Sequence, residues 1–409
     1  MTLTTETTEA TGATTAPEAV ESVMDRIRAQ VRPDQAPERM LPAAAYTSAE
    51  ALAWERRNLF AGTWTCLGRA DEVLSGSNGK PMTYRALMVG DVQVLLARDP
   101  NRSEAAGLRL FANTCRHRGH ELLAGDESST RATILCPYHA WTYNLDGSLR
   151  AAPGFRDLEG FDPAEFGLVE LPVEVFSGWV FAHALHPLGS SEVPDFATHL
   201  GALAGMVEAY RPEELVLAGR HSYEIAANWK VIAENYHECY HCPLIHPELC
   251  QVSPPDSGDN YDLPGAWVGG AMILRDGMAT MSLTGELAAT PIPGVDPTRV
   301  EYLHLLPNLL ISPHPDYLMT HRIVPLTPDR TWIECSWYVL PPADGSAPSA
   351  ERAIEFWDIT NRQDWGACES VQRGLASPHF APGPFAPNED AVAQLVTTLA
   401  KAYHGLPIT

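Results

Sequence analysis

Two pairs of residues limit what this chain can become. CRHRGHELL carries Cys115 and His117, and CPYHAWTYNLDGS carries Cys136 and His139, so a C-x-H pair and a C-x2-H pair stand about eighteen residues apart. Two thiolates and two imidazoles offered from two loops form a soft donor set, suited to zinc or an iron–sulfur centre and not to calcium or magnesium. The surrounding sequence, with runs such as VQVLLARD and ATILCPYHAWTYN separated by turn residues, reads as short strands between Trp64 and Phe181. The donor set therefore belongs to a small all-β unit. Zinc is the plainer occupant, but zinc modules usually pair as C-x2-4-C or H-x3-5-H, which a C-x-H half fits less well.

A second cluster lies in NWKVIAENYHECYHCPLIHPEL, from Asn228 to Leu249. It reads as a helix crowded with metal-competent side chains and crossed by two prolines. His241 and His246 are five apart, and on an unbroken helix that step swings about 140° around the axis, so both cannot point at one ion. The helix must be interrupted between them. Pro243 lacks an N–H and disfavours helix at Cys242, and Pro247 fixes the chain beyond His246. Two histidines and one carboxylate make a facial triad for iron(II), and the carboxylate need not be close in sequence.

EFWDITNRQDWGACESVQRGL offers three acids for that place. Asp358 has Arg362 four residues on and Glu369 has Arg373, so both are set for ordinary surface pairs. Asp364 has no such partner and shares a helical face with Trp357, Cys368, Val371 and Leu375. A carboxylate on an apolar stripe needs a cation to offset its desolvation. Glu238, three residues before His241, falls on the same helical face and can orient that imidazole. His237 projects elsewhere and reads as a surface or core-edge residue. Cys239 and Cys242 form a C-x2-C, for which ordinary burial is the stronger reading.

The chain divides into an arm with a docking helix (1–45), the β unit with its preceding helix (46–186) and a larger α+β unit (187–409). The arm is rich in Thr, Ala, Glu and Pro, with a short helix in AVESVMDRIRAQV. PDFATHLGALAGMVEAY reads as one helix. The strands YLHLLPNLLISPHP, YLMTHRIVPL and RTWIECSWYVLP lie between the helices around His241 and Asp364, which makes the second unit α+β. A formal net charge of −23 argues against nucleic acid as a partner. No apolar run is long enough to span a membrane, and no secretory signal begins the chain, so a cytoplasmic location is expected. Eight cysteines without a disulfide-scaffold density fit free or metal-bound thiols.

CRHRG followed by CPYHAWTYNLDG resembles the Rieske domain of the ring-hydroxylating, Rieske-type non-haem iron oxygenases, in which two cysteines hold one iron of a [2Fe-2S] cluster and two histidines the other. NWKVIAENYHECYHCPLIHP resembles their catalytic iron motif. The likeness runs from about Trp54 to the helix that carries Asp364. It implies an all-β Rieske domain followed by a helix-grip catalytic domain. Cys115, His117, Cys136 and His139 are then the cluster ligands, and His241, His246 and Asp364, which stands where the family's carboxylate ligand falls, hold a mononuclear iron. Glu238 becomes the bridge between the Rieske histidine of one subunit and the iron-ligand histidine of the next, in a ring of subunits that is usually a trimer. One departure is Ala140, where the family often has glycine; a methyl group there is expected to be tolerated.

The resemblance further implies a terminal oxygenase component using O2, with NADH or NADPH electrons supplied by a separate reductase, with or without a ferredoxin. No G-x-G-x-x-G nucleotide fingerprint is present in this chain itself. AENYHECYHCP most resembles the branch acting on quaternary ammonium compounds, and an aromatic-acid hydroxylase is the alternative. The first needs an aromatic cage, for which Trp267, Tyr302, Trp332 and Trp337 are candidates, and the second an arginine clamp, for which Arg322 is one. Trp229, Tyr236 and Tyr240 read as core, Trp141 as a shield for the cluster, and Arg118 and His120 as supports of its loop. Two other classes stay open: an electron-transfer protein using the cluster alone, and a zinc-stabilised binding protein.

Overall fold

The alternation of apolar and polar residues between Thr65 and Ala182 resolves into three small antiparallel sheets. The computed structural model describes residues 22–75, 81–99 and 107–409, so the arm lies, up to residue 21, outside the described residues. The largest sheet of the β unit orders Ser128–Ser129, Tyr84–Val89, Val92–Arg98, Leu108–Ala112 and Glu170–Leu171. Its two faces serve different ends, as a period of two requires. Tyr84, Ala86, Leu95, Ala97 and Phe111 turn toward Cys115, Cys136 and Trp141. Val89, Val94, Leu96 and Leu110 pack with Val180 and Ala182 of a neighbouring sheet. The Val89–Val92 hairpin turns on Gly90, whose positive φ of 60° suits glycine, and a Cβ there would run into the Arg56 carbonyl.

The C-terminal unit is a seven-stranded antiparallel sheet with helices laid against it. Its order runs Val216–Ile225, Arg330–Val339, Leu318–Thr327, Leu309–Pro313, Arg299–Leu305, Trp267–Ile273 and Asp259–Asn260. Trp229, Val231 and Ile232 of the helix Trp229–Tyr236 are buried with Ile323 and Ile333 of the sheet. Cys368 and Leu375 of the helix Glu351–Leu375, and Leu395 and Leu399 of Asp390–Tyr403, share that cluster. This sheet-and-helix domain follows the β unit as expected.

Three details depart from expectation. The helix expected around PDFATHLGALAGMVEAY is two short ones, Phe196–Leu200 and Leu203–Glu208, parted at Gly201. Gly201 has φ 51°, and a Cβ there would strike the Pro264 carbonyl, so close backbone packing overrides the helical pattern. The final helix, Asp390–Tyr403, was not anticipated. And the helix Ala49–Glu55 with the wider turn Arg56–Phe60, grouped above with the β unit, packs with the C-terminal core: Leu52, Leu59 and Phe60 lie in the cluster of Trp229 and Leu395.

A buried polar network pins that helix in place. Glu55 and Lys230 are both fully buried and paired at 2.7 Å. Trp229 Nε1 and the Tyr403 hydroxyl also donate to the Glu55 carboxylate. Tyr46 donates to Glu234 at 2.7 Å. Each charge has partners, which is the condition for burying it without a large penalty. The two units interlock through Trp64, Cys66 and Phe181 against Leu303, Leu305 and Tyr338. Asn308 seals the join, accepting from the Cys66 amide at 2.9 Å and donating to its carbonyl at 3.0 Å.

Candidate metal centres and their cavity

The segment around His241 is built from caps rather than from one broken helix. Asn228 caps the helix Trp229–Tyr236 by accepting from the Lys230 amide, and His237 ends it. The chain then turns: one Glu238 oxygen accepts from the amides of Tyr240 and His241 at 2.6 and 3.1 Å. A short helix, Cys242–Ile245, follows with Pro243 in its first turn, and Pro247 opens the next, Pro247–Val252. Pro243 therefore starts a helix instead of interrupting one, as its missing N–H allows at that position. The interruption expected between His241 and His246 falls at His246 itself, with φ −122° and ψ 68°. Glu238 reaches His241 through the turn, not along a helical face. Cys239 and Cys242, read as ordinary buried thiols, are joined in a disulfide across the same turn. His237, read as a surface or core-edge residue, is buried beside His304, 3.3 Å between their ring nitrogens.

The three residues chosen for a mononuclear site converge. His241 Nε2 and His246 Nε2 are 3.1 Å apart, and Asp364 Oδ1 lies 3.3 Å from the first and 2.9 Å from the second. Donor atoms each about 2.1 Å from one ion and at right angles would be about 3 Å apart. The triangle fits one face of a metal's coordination shell. The far side of each ring is held as well: His241 Nδ1 meets Glu238 Oε1 at 2.5 Å, and His246 Nδ1 meets Gln363 Oε1 at 2.7 Å. An acceptor on Nδ1 keeps the proton there and turns the Nε2 lone pair toward the ion. Burial disfavours the charged His241 ring, but Asp364 and Glu238 outweigh it and hold its pKa up at about 9. Against its own burial, Asp364 is kept below the ordinary carboxylate range by the two imidazoles.

The rival acids are occupied elsewhere. Asp358 pairs with Arg362 at 2.8 Å, as expected, and also accepts from Tyr223. Glu369 accepts from the Ala226 amide, and its expected pair with Arg373 is not among the ion pairs of the described residues. Val371, placed on the apolar stripe with Asp364, is 44% exposed, whereas Trp357, Cys368 and Leu375 are buried. Gln363 was missed; the only hint in sequence was its place beside Asp364.

A cavity of about 260 Å³ opens on the triad. Tyr236, Tyr302, Trp357 and Trp365 supply rings to its wall, and Glu238, Asp256 and Asp390 supply carboxylates. Among its described lining residues there is no Arg or Lys. Trp357, Thr360, Asn361 and Asp364 come from one face of one helix, a spacing that sequence periodicity could have extended from Asp364. Of the four rings considered for a cage, only Tyr302 lines the cavity. Trp267 and Trp337 are core residues, and Trp332 lies under the Arg322 guanidinium. Arg322 itself is turned to Glu334 at 3.4 Å and does not line the cavity. Trp229 is core as read, Tyr236 lines the cavity, and Tyr240 is 64% exposed.

The β-unit donors are arranged with the opposite polarity. Cys115 and Cys136 are each 2% exposed, and their thiols lie in contact, while His139 faces solvent and His117 is half-buried. Backbone bonds from the Cys115 amide to the His120 carbonyl and from the Cys136 amide to the Trp141 carbonyl close the two loops, both at 2.8 Å. The Tyr143 hydroxyl sits 3.3 Å from Cys115 Sγ and accepts from the Arg116 amide. Trp141 is buried and stacks on His117, with centroids 4.9 Å apart. Among the described residues the only group with three donor atoms within 4.8 Å of one another is His241, His246 and Asp364. The four β-unit donors are thus too spread for one tetrahedral zinc, and fit a group with two metal atoms. Ala140 has φ 58°. Space is not what its methyl lacks; the left-handed backbone is strained for any residue with a Cβ.

Family models agree with this division. The Rieske [2Fe-2S] domain matches residues 63–162, and the ring hydroxylating alpha subunit (catalytic domain) matches residues 212–405. A carnitine monooxygenase oxygenase subunit from Acinetobacter baumannii is 37% identical over 209 residues, 50% of this chain and 52% of that protein, so the match spans about half the relative's length. A glycine betaine monooxygenase oxygenase subunit from Pseudomonas aeruginosa is 28% identical over 84% of both chains. Among solved structures, the quaternary ammonium Rieske monooxygenase CntA is similar with a TM-score of 0.71 and 26% identity, over 94% of this chain and 100% of the other. Naphthalene 1,2-dioxygenase from Rhodococcus shares the fold, with a TM-score of 0.67 and 18% identity over 93% of this chain and 97% of the other.

Proposed function

The chain belongs to the Rieske-type ring-hydroxylating oxygenase alpha subunits, and from that premise we propose that it is a terminal oxygenase for a small organic cation of the quaternary ammonium class. The observation that carries this reading is the cavity beside the triad: aromatic rings and carboxylates line it, and its described lining has no Arg or Lys. An ammonium head is attracted to ring faces and to carboxylates. An aromatic acid would need a cationic clamp, and Arg322 points elsewhere. Relatives named for carnitine and glycine betaine support the same class.

Cys115, His117, Cys136 and His139 would hold the [2Fe-2S] cluster, and His241, His246 and Asp364 the iron. These groups, when bound, supply one-electron transfer and the activation of dioxygen for insertion into a C–H bond. The chain's own residues do the rest. Glu238 and Gln363 orient the two imidazoles, the cavity rings bind the substrate and exclude water, and the acids at the cavity wall neutralise its charge. Electrons come from NADH or NADPH through a separate reductase, with or without a ferredoxin.

In this reading Glu238 is also the bridge between subunits. His139 is exposed on the β unit, and large apolar side chains are exposed beside each site: Tyr138 next to His139, Tyr240 and Leu244 next to His241. Head-to-tail contact of those two surfaces closes a ring, with a homotrimer as the expected size. No helix among the described residues is long and apolar enough to cross a membrane, and a cytoplasmic location goes with this reading.

The reading is tested by oxygen uptake and product analysis on the reconstituted protein with a surrogate reductase, across quaternary ammonium compounds and aromatic acids. Uptake coupled to an oxidised ammonium compound is expected. Coupled uptake with aromatic acids alone would make the protein an aromatic-acid hydroxylase instead.

A further inference from the structure

The Cys239–Cys242 disulfide and the contact between Glu238 and His241 span the same turn, offset by one residue. Glu238 precedes Cys239 and His241 precedes Cys242, so a bond between the two sulfurs closes the stretch of backbone on which that contact depends. The Glu238 carboxylate also accepts from the amides of Tyr240 and His241, inside the closed loop. Closing so short a loop removes little entropy from the unfolded chain, because that contribution grows with loop length. Its effect is therefore local: it limits the conformations of the segment that sets Glu238 against the His241 ring. Both cysteines line the cavity together with His241, His246 and Asp364. Cys242 is buried and Cys239 half-buried, so Cys239 is the more open of the two to a small molecule.

Resting on the oxygenase reading above, we propose that Cys239 and Cys242 are a redox-active pair, closed by hydrogen peroxide and opened by thiols, whose disulfide stiffens the turn that holds Glu238 to His241. The oxidant comes from the chemistry of the site: dioxygen that takes up two electrons and two protons with no substrate oxidised leaves as hydrogen peroxide. The Cys239 sulfur attacks one peroxide oxygen, the O–O bond breaks, and a sulfenic acid and a water result. The Cys242 thiol then displaces the sulfenic hydroxyl as a second water, so two thiols and one peroxide become one disulfide and two waters. Opening is by exchange, in which two small-molecule thiols reduce the pair and are themselves joined as a disulfide. In a thiol-reducing cytoplasm, a disulfide that forms is usually transient and tied to redox chemistry. The six other cysteines are free, so the pair stands apart from them.

Differential alkylation and peptide mapping of the holoprotein follow the pair, with Cys250, a free thiol, as the control on the same stretch of chain. Anaerobic dithiothreitol, then removed by desalting, should open the pair, and a stoichiometric amount of hydrogen peroxide should close it again with Cys250 still open to alkylation. Reductase-driven oxygen uptake without substrate should close it too. Competition with a chelator is expected to show metal at the triad held about tenfold more tightly in the closed form than in the open form. Cys239→Ser and Cys242→Ser, neither able to close, should each behave as the open form before and after peroxide, with the cluster spectrum unchanged. A pair that stays closed against thiol in the folded protein, or stays open against peroxide, overturns the proposal. Equal metal retention in the two forms overturns its claim on the turn. Either failure leaves the oxygenase reading intact. Absence of oxygen uptake with every substrate ends that reading instead, and closure by added peroxide still shows the pair to be redox-active.

Discussion

The two donor sets of this chain bury opposite parts of themselves. In the β unit the sulfurs are inside and the imidazole of His139 faces solvent, so whatever the set holds is presented to the outside through a ring. In the catalytic unit His246 is almost fully buried and a cavity opens on the triad, so its occupant is approached from within. The first is arranged to meet another surface, the second to enclose a molecule. Around Glu55 and Lys230, away from either set, every charge is paired.

If the two sets are independent, each can be removed without the other, and this is the largest effect expected. Asp364→Ala should lose the mononuclear metal and reduce turnover by at least about 10³-fold with the visible spectrum of the cluster intact. Cys136→Ser should do the reverse, removing the cluster spectrum while a metal remains at the triad; loss of both centres from either variant would merge the sets into one. Glu238→Gln keeps a hydrogen-bonding side chain of the same shape and should retain both metals. Product formation per reduced protein in a single turnover should fall by about 10²-fold, and an unchanged rate would confine Glu238 to its turn.

Smaller still is the effect of the amide behind His246. Gln363→Leu leaves Nδ1 without its acceptor and should weaken metal affinity at the triad by about 10- to 100-fold. Competition with a chelator measures it, and the β-unit cluster serves as the internal control. The smallest expected change is at Ala140, where glycine relieves the left-handed strain. Ala140→Gly should stabilise the β unit by about 0.5 to 1 kcal/mol, read from the denaturant midpoint of the holoprotein. A loss of stability there would mean that the methyl contributes packing that outweighs its backbone strain.

The same contrast explains what the sequence could reveal. Cys115, His117, Cys136 and His139 lie within one short stretch, so their spacing marked them as one soft donor set, and the resemblance to a Rieske domain named what it would hold. His241 and His246 were equally local, and Asp364, 118 residues beyond His246, was reached because a carboxylate on an apolar helical stripe is anomalous in any sequence. Periodicity was less reliable at its edges: Val371 lies at the margin of the stripe, whose buried line continues through Gln372 and Leu375. His321, Tyr302 and Trp365 line one cavity because strands and helix are packed in three dimensions, and no spacing encodes that. Gly201 and Ala140 show the limit from the other side, since both positions are governed by backbone conformation set by contacts or turns that a pattern of apolar residues does not report.

Iron and acid-labile sulfide analysis on anaerobically prepared protein, with electron paramagnetic resonance of the reduced and oxidised forms, tests the claim of two unlike centres most directly. About three irons and two sulfides per chain are expected, with one signal from a reduced cluster and a separate signal from a mononuclear ferric ion. One kind of centre only, whether zinc without sulfide or a cluster with no further iron, would contradict it.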